Sequence, residues 1–544
     1  MAARPEAAAK IDAIETFARH QVETLKLPGL TVSLADRSGW HHTMLVGRAE
    51  LESAMPIGPE HLFQIGSITK SMAALCAFRL LADGRIGLDT PINEYLPGLA
   101  ILSPRPITIG HLVNHSSGLP SDSPLRTAFQ AGAIAVETDP GSFWSYSNIG
   151  YQLLGLVIER AAGCSFPEYL ERVVLQPLGM TQSRASIIAA DRAHFATGYG
   201  PRFQDRPSPI ASAKSVAPWV NVVGAHGSVA STARDMGHYM TALLAMADGA
   251  HQPVLPIQLG RQFMTRSTSA PGWEEGADFA YGLAIIERHG RKLLHHTGGM
   301  IGFSSSLHLD AENGVAAFAS TNVGHLSYRP AAITQFACDW LSGVESYRRS
   351  PIVSNGSRAT AAMVDREYRS ANGDALRVRH SNGGVTVTVG EIAIALIQEA
   401  PGYFIAVDPA QTSHSLILDS MSDRSANLWW GDIEFALAEK AIPVFARPSP
   451  LASLAGHYEN DDPWFGTVRI SVRGDDVFLN DITTLHPIAP DQFRLGDDPR
   501  SPERVKFHTS LAGHPHTLEI SGVFYEYRRT ATDRLCSNSQ GSGR

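Results

Sequence analysis

Two polar residues three positions apart indicate a nucleophile and its base. Ser67 and Lys70 lie in the sequence Q-I-G-S-I-T-K, immediately before an apolar stretch. Residues three apart share a helix face, so the ammonium of Lys70 should lie beside the hydroxyl of Ser67. A serine hydroxyl becomes a good nucleophile when a base takes its proton, and burial lowers the pKa of a lysine towards neutrality. A capping serine followed by a lysine that reaches solvent is the structural alternative.

Two further motifs contain residues that can move a proton and bind a substrate. Tyr146 and Asn148 lie in S-Y-S-N, where a phenol near a cation can ionise partly and a carboxamide can bind an amide. His296 and Gly299 lie in H-T-G-G, where glycines permit close approach and a backbone N–H can stabilise an oxyanion. Taken separately, each motif is more simply explained as an ordinary turn.

Apolar patterns predict the elements that position these motifs. Helical spacing predicts four helices, over 5–26, 68–83, 149–162 and 232–246. Alternating or short apolar runs predict strands, in a hairpin over 29–47 and at 293–294, 303–309 and 315–320. The second helix is apolar on every side, which predicts a place in the middle of a core. The mixture indicates an α+β domain.

The pattern changes after about residue 345. Short alternating strands separated by Gly, Asn and Asp turns are typical of antiparallel all-β structure. The number of residues between Tyr368 and Tyr458 is the same as that between Arg379 and Arg469. This match is either chance or the sign of two similar small barrels. A proline-rich stretch at 443–450 is typical of a linker. The predicted domains are an α+β domain, two antiparallel β domains and a flexible tail, over 1–345, 346–447, 448–532 and 533–544.

Composition excludes several classes of protein. The chain of 544 residues has 45 Lys and Arg against 53 Asp and Glu, a net charge of −8, which argues against non-specific nucleic-acid binding. With 44% hydrophobic residues a large core is available, yet no run approaches eighteen apolar residues, so no transmembrane helix is expected. The beginning of the chain lacks the pattern of a signal peptide, so a cytoplasmic location is expected, with a periplasmic location as the alternative.

Metal sites and disulfide frameworks are not expected. The four cysteines lie far apart, and no H-E-x-x-H motif is present among the 22 histidines. His111 and His115 are spaced so that they could share a helix face, and a structural role is favoured for both. The sequence therefore predicts no metal and no cofactor.

In this order and at this spacing, the three motifs resemble those of the serine β-lactamase and penicillin-binding protein-like superfamily. The resemblance covers roughly residues 8–345 and is closest to the class C β-lactamase-related branch, which includes D-aminopeptidases, DD-peptidases and esterases. Stretches such as I-T-I-G-H-L-V-N-H-S-S-G-L-P and Q-P-L-G-M-T look like the linking segments of that branch. The resemblance implies a β-lactamase/transpeptidase-like domain, with a five-stranded antiparallel sheet flanked by helices. D-aminopeptidases of the branch also carry two β-barrels after that domain.

The resemblance also implies a role for each candidate residue. Ser67 would be acylated, and Lys70 would be its base or the cation that activates Tyr146. Tyr146 would pass the proton to the leaving amine. Asn148 would bind the acyl amide of the substrate. The backbone N–H groups of Ser67 and Gly299 would form the oxyanion hole.

One position departs from many relatives. Where many β-lactamases and carboxypeptidases carry a lysine that helps to bind a carboxylate, this chain has His296, which the resemblance assigns to substrate binding. A histidine is mostly neutral at pH 7, so attraction for a carboxylate should be weaker. The H-x-G form resembles D-aminopeptidases and esterases. An acidic, aromatic segment at 456–464 either contacts a substrate ammonium through Asp461 or Asp462, or is an ordinary solvated loop.

The expected function is hydrolysis of amide bonds in small or linear peptides through an acyl-enzyme on Ser67, without a cofactor. A carboxylesterase or an acyltransferase with the same Ser-Lys-Tyr site is the alternative. A true β-lactamase and a non-enzymatic scaffold are less favoured. The expected partner is a small-molecule or short-peptide substrate, and a homo-oligomer remains open.

Overall fold

The computed structural model describes residues 5–130, 134–343, 365–381, 384–418, 427–438, 449–509 and 515–528. These residues form two compact units. One contains the described residues up to Gly200 and those from Lys214 to 343, and the other contains Pro201–Ala213 and the C-terminal β structure. No helix within the described residues is long and apolar enough to cross a membrane.

The first unit is built from helices on both faces of one sheet. Its helices are α1 (Pro5–Thr24), α2 (Thr69–Ala82), α3 (Ile109–Val113), α4 (Asn148–Ala162), α5 (Phe166–Leu170), α6 (Ala233–Asp248), α7 (Ile257–Phe263) and α8 (Ala331–Leu341). Strands up to residue 321 are β1 (Gly29–Asp36), β2 (His41–Glu50), β3 (Met55–Pro56), β4 (Phe63–Gln64), β5 (Tyr199–Pro201), β6 (Lys214–Val216), β7 (Ala230–Ser231), β8 (Thr268–Ser269), β9 (Asp278–Phe279), β10 (Ala284–Arg288), β11 (Arg291–Met300), β12 (Phe303–Asp310) and β13 (Val315–Thr321). The predicted helices and the β1–β2 hairpin are all present, each within a few residues of its expected bounds.

The main sheet is antiparallel and has nine strands in the order β3-β2-β1-β13-β12-β11-β10-β9-β8. The resemblance implied five strands, and that number is wrong. The difference lies partly at the edges, where β3, β8 and β9 have two residues each. Such strands are too short to produce an alternating pattern in the sequence.

Two cores are separated by this sheet. In β13, Ala316 and Phe318 pack into the core that holds α2, α4 and α6, whereas Ala317 and Ala319 pack into the core beneath α1 and α8. This alternation follows from the two-residue period of a strand. Helix α2 is buried along almost its whole length, as its apolar sequence predicts. Its first turn therefore lies deep in the unit, next to the central strands.

The C-terminal strands form two closed barrels of eight antiparallel strands each. The first barrel consists of β14 (Arg366–Ser370), β15 (Ala375–Ser381), β16 (Gly384–Val389), β17 (Ile392–Ala400), β18 (Tyr403–Ala406), β19 (Leu416–Leu418), β20 (Leu428–Trp430) and β21 (Ile433–Leu437). The second consists of β22 (Gly456–Glu459), β23 (Thr467–Arg473), β24 (Asp476–Leu479), β25 (Thr483–Ala489), β26 (Gln492–Leu495), β27 (Arg504–Thr509), β28 (Pro515–Ile520) and β29 (Val523–Arg528). In each barrel the first and last strands pair, which leaves no open edge.

The faint repeat corresponds to equivalent positions in the two barrels. Tyr368 and Tyr458 lie on the first strand of their barrels and are both buried, at 1% and 0% exposure. Arg379 and Arg469 lie on the second strands. The matched spacing therefore reflects two successive barrels of the same construction.

Several sequence predictions fall partly or wholly outside the described residues. The predicted boundaries at 345/346 and 447/448, most of the linker at 443–450, and the tail from 533 lie there, as does Cys536. Among the described residues, Cys76, Cys164 and Cys338 are free thiols. The segment at 456–464 forms a turn in which Asn460 and Asp462 accept backbone hydrogen bonds.

Candidate active site

The turn that carries Ser67 is a short 3₁₀ segment, Gly66–Ile68, directly before α2. Gly66 has a φ of 55°, and a Cβ built there would lie 2.9 Å from both the backbone N and O of Gly299. Only glycine permits this approach, so the turn packs directly on β11. Ser67 does not cap α2, because the residue at the cap position is Ile68 and no side chain provides a capping hydrogen bond. The alternative of a capping serine is therefore excluded.

Lys70 is completely buried and points at three oxygen atoms. Its Nζ donates hydrogen bonds to Oγ of Ser67 at 3.1 Å, Oδ1 of Asn148 at 2.6 Å and the carbonyl oxygen of His226 at 2.6 Å. The side chain of Lys70 does not reach solvent. The interpretation of Lys70 as a lysine that extends to the surface is therefore excluded as well. Burial lowers the pKa of Lys70 to about 7, and the negative charge of Asp122 acts in the opposite direction. Near neutral pH a substantial fraction of Lys70 is therefore an uncharged amine.

The phenol of Tyr146 lies on the other side of the lysine. Nζ of Lys70 is 4.9 Å from the centre of the Tyr146 ring. Burial raises the pKa of Tyr146, and the Ser67 side chain and the charge of Arg329 only partly offset this. The expectation that the phenol would ionise partly is therefore wrong, since the buried surroundings disfavour the phenolate. Tyr146 is a neutral group that can donate a proton.

The segment that carries Tyr146 is fixed by its neighbours in sequence. Ser147 caps α4, where its Oγ accepts from the Gly150 N–H at 2.9 Å. The Ser147 N–H donates to Nδ1 of His115 at 3.1 Å, and the His115 ring lies against the Tyr146 ring with centres 4.4 Å apart. His115 has a φ of 61° and lies beyond the end of α3. It does not share a helix face with His111, which instead closes a capping box with Thr108.

Asn148 connects the lysine to a carboxylate. Its Oδ1 accepts from Lys70, and its Nδ2 donates to Oδ1 of Asp122 at 2.9 Å. The two contacts fix the orientation of the carboxamide, because the oxygen must face the donor and the nitrogen the acceptor. One of the two N–H groups and one of the two oxygen lone pairs of Asn148 are used in this way.

His296 lies on β11 among aromatic rings. It is 1% exposed, and its ring centre is 5.1 Å from that of Trp273 and 6.2 Å from that of Tyr146. Nδ1 lies 2.6 Å from the carbonyl oxygen of Thr297, which makes Nδ1 the protonated nitrogen. Burial and the nearby Lys70 lower the pKa of His296 to about 3. Position 296 therefore contributes no positive charge near neutral pH.

Gly298 and Gly299 bring β11 against the Ser67 turn. A Cβ on Gly298 would lie 1.9 Å from the carbonyl oxygen of Ile65, and a Cβ on Gly299 would overlap the guanidinium of Arg329. Position 298 thus requires glycine for the close approach of another backbone, whereas at Gly299 the neighbour is the end of a long side chain. The six predicted residues are consequently gathered in one place: Ser67, Lys70, Tyr146, Asn148, His296 and Gly299.

Four groups in this site were not predicted from the sequence. They are the Asp122 carboxylate, the His115 ring, the His226 carbonyl and the Arg329 guanidinium. Each comes from a loop or turn outside the predicted elements, so only the fold shows that it lies in this site. Within the described residues no cluster of three or more His, Cys, Asp or Glu side chains has the arrangement of a metal site.

Comparison with known proteins identifies the family of the chain. A family model described as Beta-lactamase matches residues 14–335, which is more than half of the chain. The chain belongs to the Beta-lactamase family. This confirms the resemblance noted in the three motifs, and it places the chain in a superfamily of serine hydrolases.

Relatives of this Beta-lactamase family member include a protein named as a penicillin-binding protein and one named as an esterase. Penicillin-binding protein 4* of Bacillus subtilis (strain 168) is 31% identical over 29% of this chain and 39% of its own length. Esterase EstB of Burkholderia gladioli is 29% identical over 37% of this chain and 56% of its own length. The chain thus spans about two fifths and just over half of these two relatives.

One solved structure extends the likeness into the C-terminal region. The octameric penicillin-binding protein homologue from Pyrococcus abyssi aligns with a TM-score of 0.57 and 22% identity, covering 78% of this chain and 99% of that one. At this identity the likeness concerns the fold alone. It confirms a β-lactamase/transpeptidase-like domain followed by antiparallel barrels.

Proposed function

We propose that this protein hydrolyses amide bonds of small or linear peptides through an acyl-enzyme on Ser67. The observation that carries the proposal is the contact between Nζ of Lys70 and Oγ of Ser67, at 3.1 Å, together with burial that lowers the pKa of Lys70 to about 7. A neutral amine at hydrogen-bond distance is the base that a serine nucleophile needs. No group outside the chain is required for this step.

The other residues take complementary roles. When Oγ of Ser67 attacks the carbonyl carbon, its proton passes to Nζ of Lys70 and the carbonyl oxygen becomes negative. The backbone N–H groups of Ser67 and Gly299 stabilise that oxyanion. Tyr146, which burial keeps protonated, donates a proton to the leaving nitrogen as the C–N bond breaks. The proton held on Nζ of Lys70 then passes to the Tyr146 oxygen, so both groups return to their starting forms. Water attacks the acyl carbon and gives one proton to Nζ of Lys70, the bond to Oγ of Ser67 breaks, and Oγ takes that proton back.

Asn148 positions Lys70 in the free protein and binds the acyl amide of the substrate. Each end of its carboxamide makes one hydrogen bond, so its second N–H and second oxygen lone pair remain for the substrate. His296 forms part of the wall beside the leaving group as a neutral ring. The substrate is a small molecule or short peptide, and assembly of several copies of this chain is compatible with the octameric relative.

A carboxylesterase with the same site is the second candidate, favoured by the similarity to Esterase EstB. An acyltransferase would need only that an amine or alcohol replaces water in the second step. The choice between amide and ester depends on Tyr146, since an activated ester has a leaving group that needs no proton.

A matched pair of chromogenic substrates tests the proposal. D-alanine 4-nitroanilide and the 4-nitrophenyl ester of acetic acid are incubated with the wild type and with Ser67→Ala. We expect the wild type to release 4-nitroaniline and 4-nitrophenol and Ser67→Ala to release neither above background. Release of 4-nitrophenol alone favours the esterase, and release of either product by Ser67→Ala contradicts the assignment of the nucleophile.

A further inference from the structure

Both chain neighbours of Tyr146 are held by one residue, His115. The carbonyl oxygen of His115 accepts from the Ser145 N–H at 2.8 Å, and its Nδ1 accepts from the Ser147 N–H at 3.1 Å. Between these two contacts the Tyr146 ring lies against the His115 ring, with centres 4.4 Å apart and planes at 32°. The backbone on each side of Tyr146 and the ring itself are therefore fixed by the same residue.

His115 is itself held in place. It is 0% exposed, and its φ of 61° lies in the left-handed region, which residues other than glycine seldom adopt. Its ring also packs against the Tyr151 ring, with centres 4.9 Å apart, and meets the Phe279 ring at 5.2 Å and 67°. The Tyr151 hydroxyl in turn donates to the Val113 carbonyl oxygen at 2.7 Å. A ring that is packed in this way cannot rotate without displacing its neighbours.

The acceptor at Nδ1 is the property of His115 that an apolar ring would lack. Since Nδ1 accepts the Ser147 N–H, the ring is neutral and its proton is on Nε2. Burial lowers the pKa of His115 well below its usual value, and the charge of Lys70 acts in the same direction. Nε2 has no hydrogen-bond partner among the described residues, and a buried unpaired N–H costs free energy. A phenylalanine would avoid that cost, so the bond to Ser147 is what the histidine contributes.

We propose that His115 is a positioning residue for Tyr146, which directs the phenol at the leaving group and so sets the preference for substrates whose leaving group must be protonated. This inference rests on the proposed function, in which the phenol proton passes to the leaving atom as its bond to the carbonyl carbon breaks. A displacement of about 1 Å is enough to slow such a step by about 10²-fold.

The attack by Ser67 is not expected to depend on His115. Among the described residues, the hydrogen bonds of His115 join it to backbone groups, and none joins it to Ser67 or Lys70. Loss of His115 should therefore affect the departure of the leaving group and spare the nucleophile.

Two acetate esters that differ only in the leaving group test this. 4-Nitrophenyl acetate releases a stable anion, whereas ethyl acetate releases an alkoxide that needs a proton. We expect His115→Phe in the full-length chain to lower kcat/KM for ethyl acetate by about 10- to 100-fold and kcat/KM for 4-nitrophenyl acetate by less than about threefold. His115→Asn, whose Oδ1 can replace Nδ1 as the acceptor, should lose less activity towards ethyl acetate than His115→Phe does. Both esters give the same acetyl-enzyme, so kcat/KM compares acylation alone.

The control is His111→Phe. Nδ1 of His111 accepts from the Thr108 N–H at 3.1 Å, which is the same kind of bond, but it holds the start of α3 instead of the Tyr146 segment. This variant should keep the wild-type ratio of the two kcat/KM values. Rates are expressed per Ser67 that reacts with a fluorophosphonate at saturation, so misfolded protein does not count.

An unchanged ratio of the two kcat/KM values in His115→Phe overturns the inference, because a merely structural role would lower both values equally. A larger loss for ethyl acetate in His115→Asn than in His115→Phe also overturns it, since the acceptor would then not be what matters. If His115→Phe gives no reactive Ser67, an unchanged ratio in His115→Asn has the same meaning. Failure of the proposed function is a separate result, since it appears as absent release of 4-nitroaniline from D-alanine 4-nitroanilide by the wild type.

Discussion

Nζ of Lys70 lies 2.6 Å from Oδ1 of Asn148, closer than its 3.1 Å distance from Oγ of Ser67. The lysine is therefore held by Asn148 and by the His226 carbonyl, with Ser67 as its third and longest contact. An amine held in this way can give up one proton and remain in place. The arrangement supplies a base beside the hydroxyl without any movement of the helix.

The pH dependence of Ser67 reactivity follows from the lysine. Because the reactive form has a neutral Lys70, the rate of reaction with a fluorophosphonate should rise with pH through about 7. The charge of Asp122 raises the pKa of Lys70, so Asp122→Asn should lower it and move the midpoint to lower pH. Labelling rates measured from pH 5 to 9 give this midpoint. Asp83→Asn, an exposed carboxylate paired with Arg79, is the control, and a midpoint that moves upward in Asp122→Asn contradicts the account.

Tyr146→Phe should affect the turnover of amides and of activated esters to different extents. An amide nitrogen must be protonated as it leaves, so anilide turnover should fall by about 10² to 10⁴, whereas turnover of a 4-nitrophenyl ester should fall by less than about tenfold. Tyr151→Phe is a matched control, because its buried hydroxyl only donates to the Val113 carbonyl oxygen at 2.7 Å. Steady-state kcat for the two substrates is the measurement. Equal losses for amide and ester in Tyr146→Phe would remove the proton-donor role.

Gly298→Ala tests the contact between β11 and the Ser67 turn. The added Cβ would lie 1.9 Å from the carbonyl oxygen of Ile65, so one backbone must shift. We expect a loss of about 1–3 kcal/mol in the free energy of unfolding and a slower reaction of Ser67 with a fluorophosphonate. Gly98→Ala is the control, since its nearest neighbour would be 3.7 Å away. Unchanged stability and unchanged labelling in Gly298→Ala would show that the contact is not as close as described.

Protonation of the buried His295 should lower the free energy of unfolding in acid. Burial and the nearby Arg288 lower its pKa in the folded protein to about 3 from 6.5, and its ring is stacked on His308 at 4.1 Å. Since the unfolded chain takes up the proton first, the contribution of His295 is complete above about pH 6.5 and declines as pH falls towards 3, by about 1.4 kcal/mol per pH unit. Urea unfolding of His295→Phe at pH 7 and pH 5.5 should therefore show about 1 kcal/mol less acid-induced loss than the wild type.

The control for this experiment is His20→Phe, an exposed histidine on α1, which should behave like the wild type. If His295→Phe and the wild type lose the same free energy of unfolding between the two pH values, then His295 is not the buried neutral group described.

The sequence predicts the parts of the site that depend on local spacing. Ser67 lies one turn before Lys70 at the start of α2, and Tyr146 and Asn148 flank Ser147, the cap of α4, so their placement follows from helix geometry. Asp122 and Arg329 could not be found in this way, because each comes from a loop with no periodic pattern. Their positions depend on how distant segments pack.

The same distinction applies to the fold. The long strands β11, β12 and β13 contain alternating or apolar runs and are predicted, whereas two-residue strands such as β8 and β9 carry no such signal. The barrels are suggested by repeated turn residues and by the matched tyrosines Tyr368 and Tyr458. The sequence predicts partial ionisation of the Tyr146 phenol, whereas burial raises its pKa and keeps it protonated. The burial of a single tyrosine cannot be read from a polar motif.

Intact-protein mass spectrometry after incubation with a fluorophosphonate tests the central claim most directly. The wild type, Ser67→Ala and Ser71→Ala are compared, since Ser71 is a buried serine on the same helix whose hydroxyl donates to the Ile68 carbonyl oxygen. The account predicts one phosphonate adduct on the wild type and on Ser71→Ala and none on Ser67→Ala. An unlabelled wild type, or equal labelling of Ser67→Ala, would contradict it.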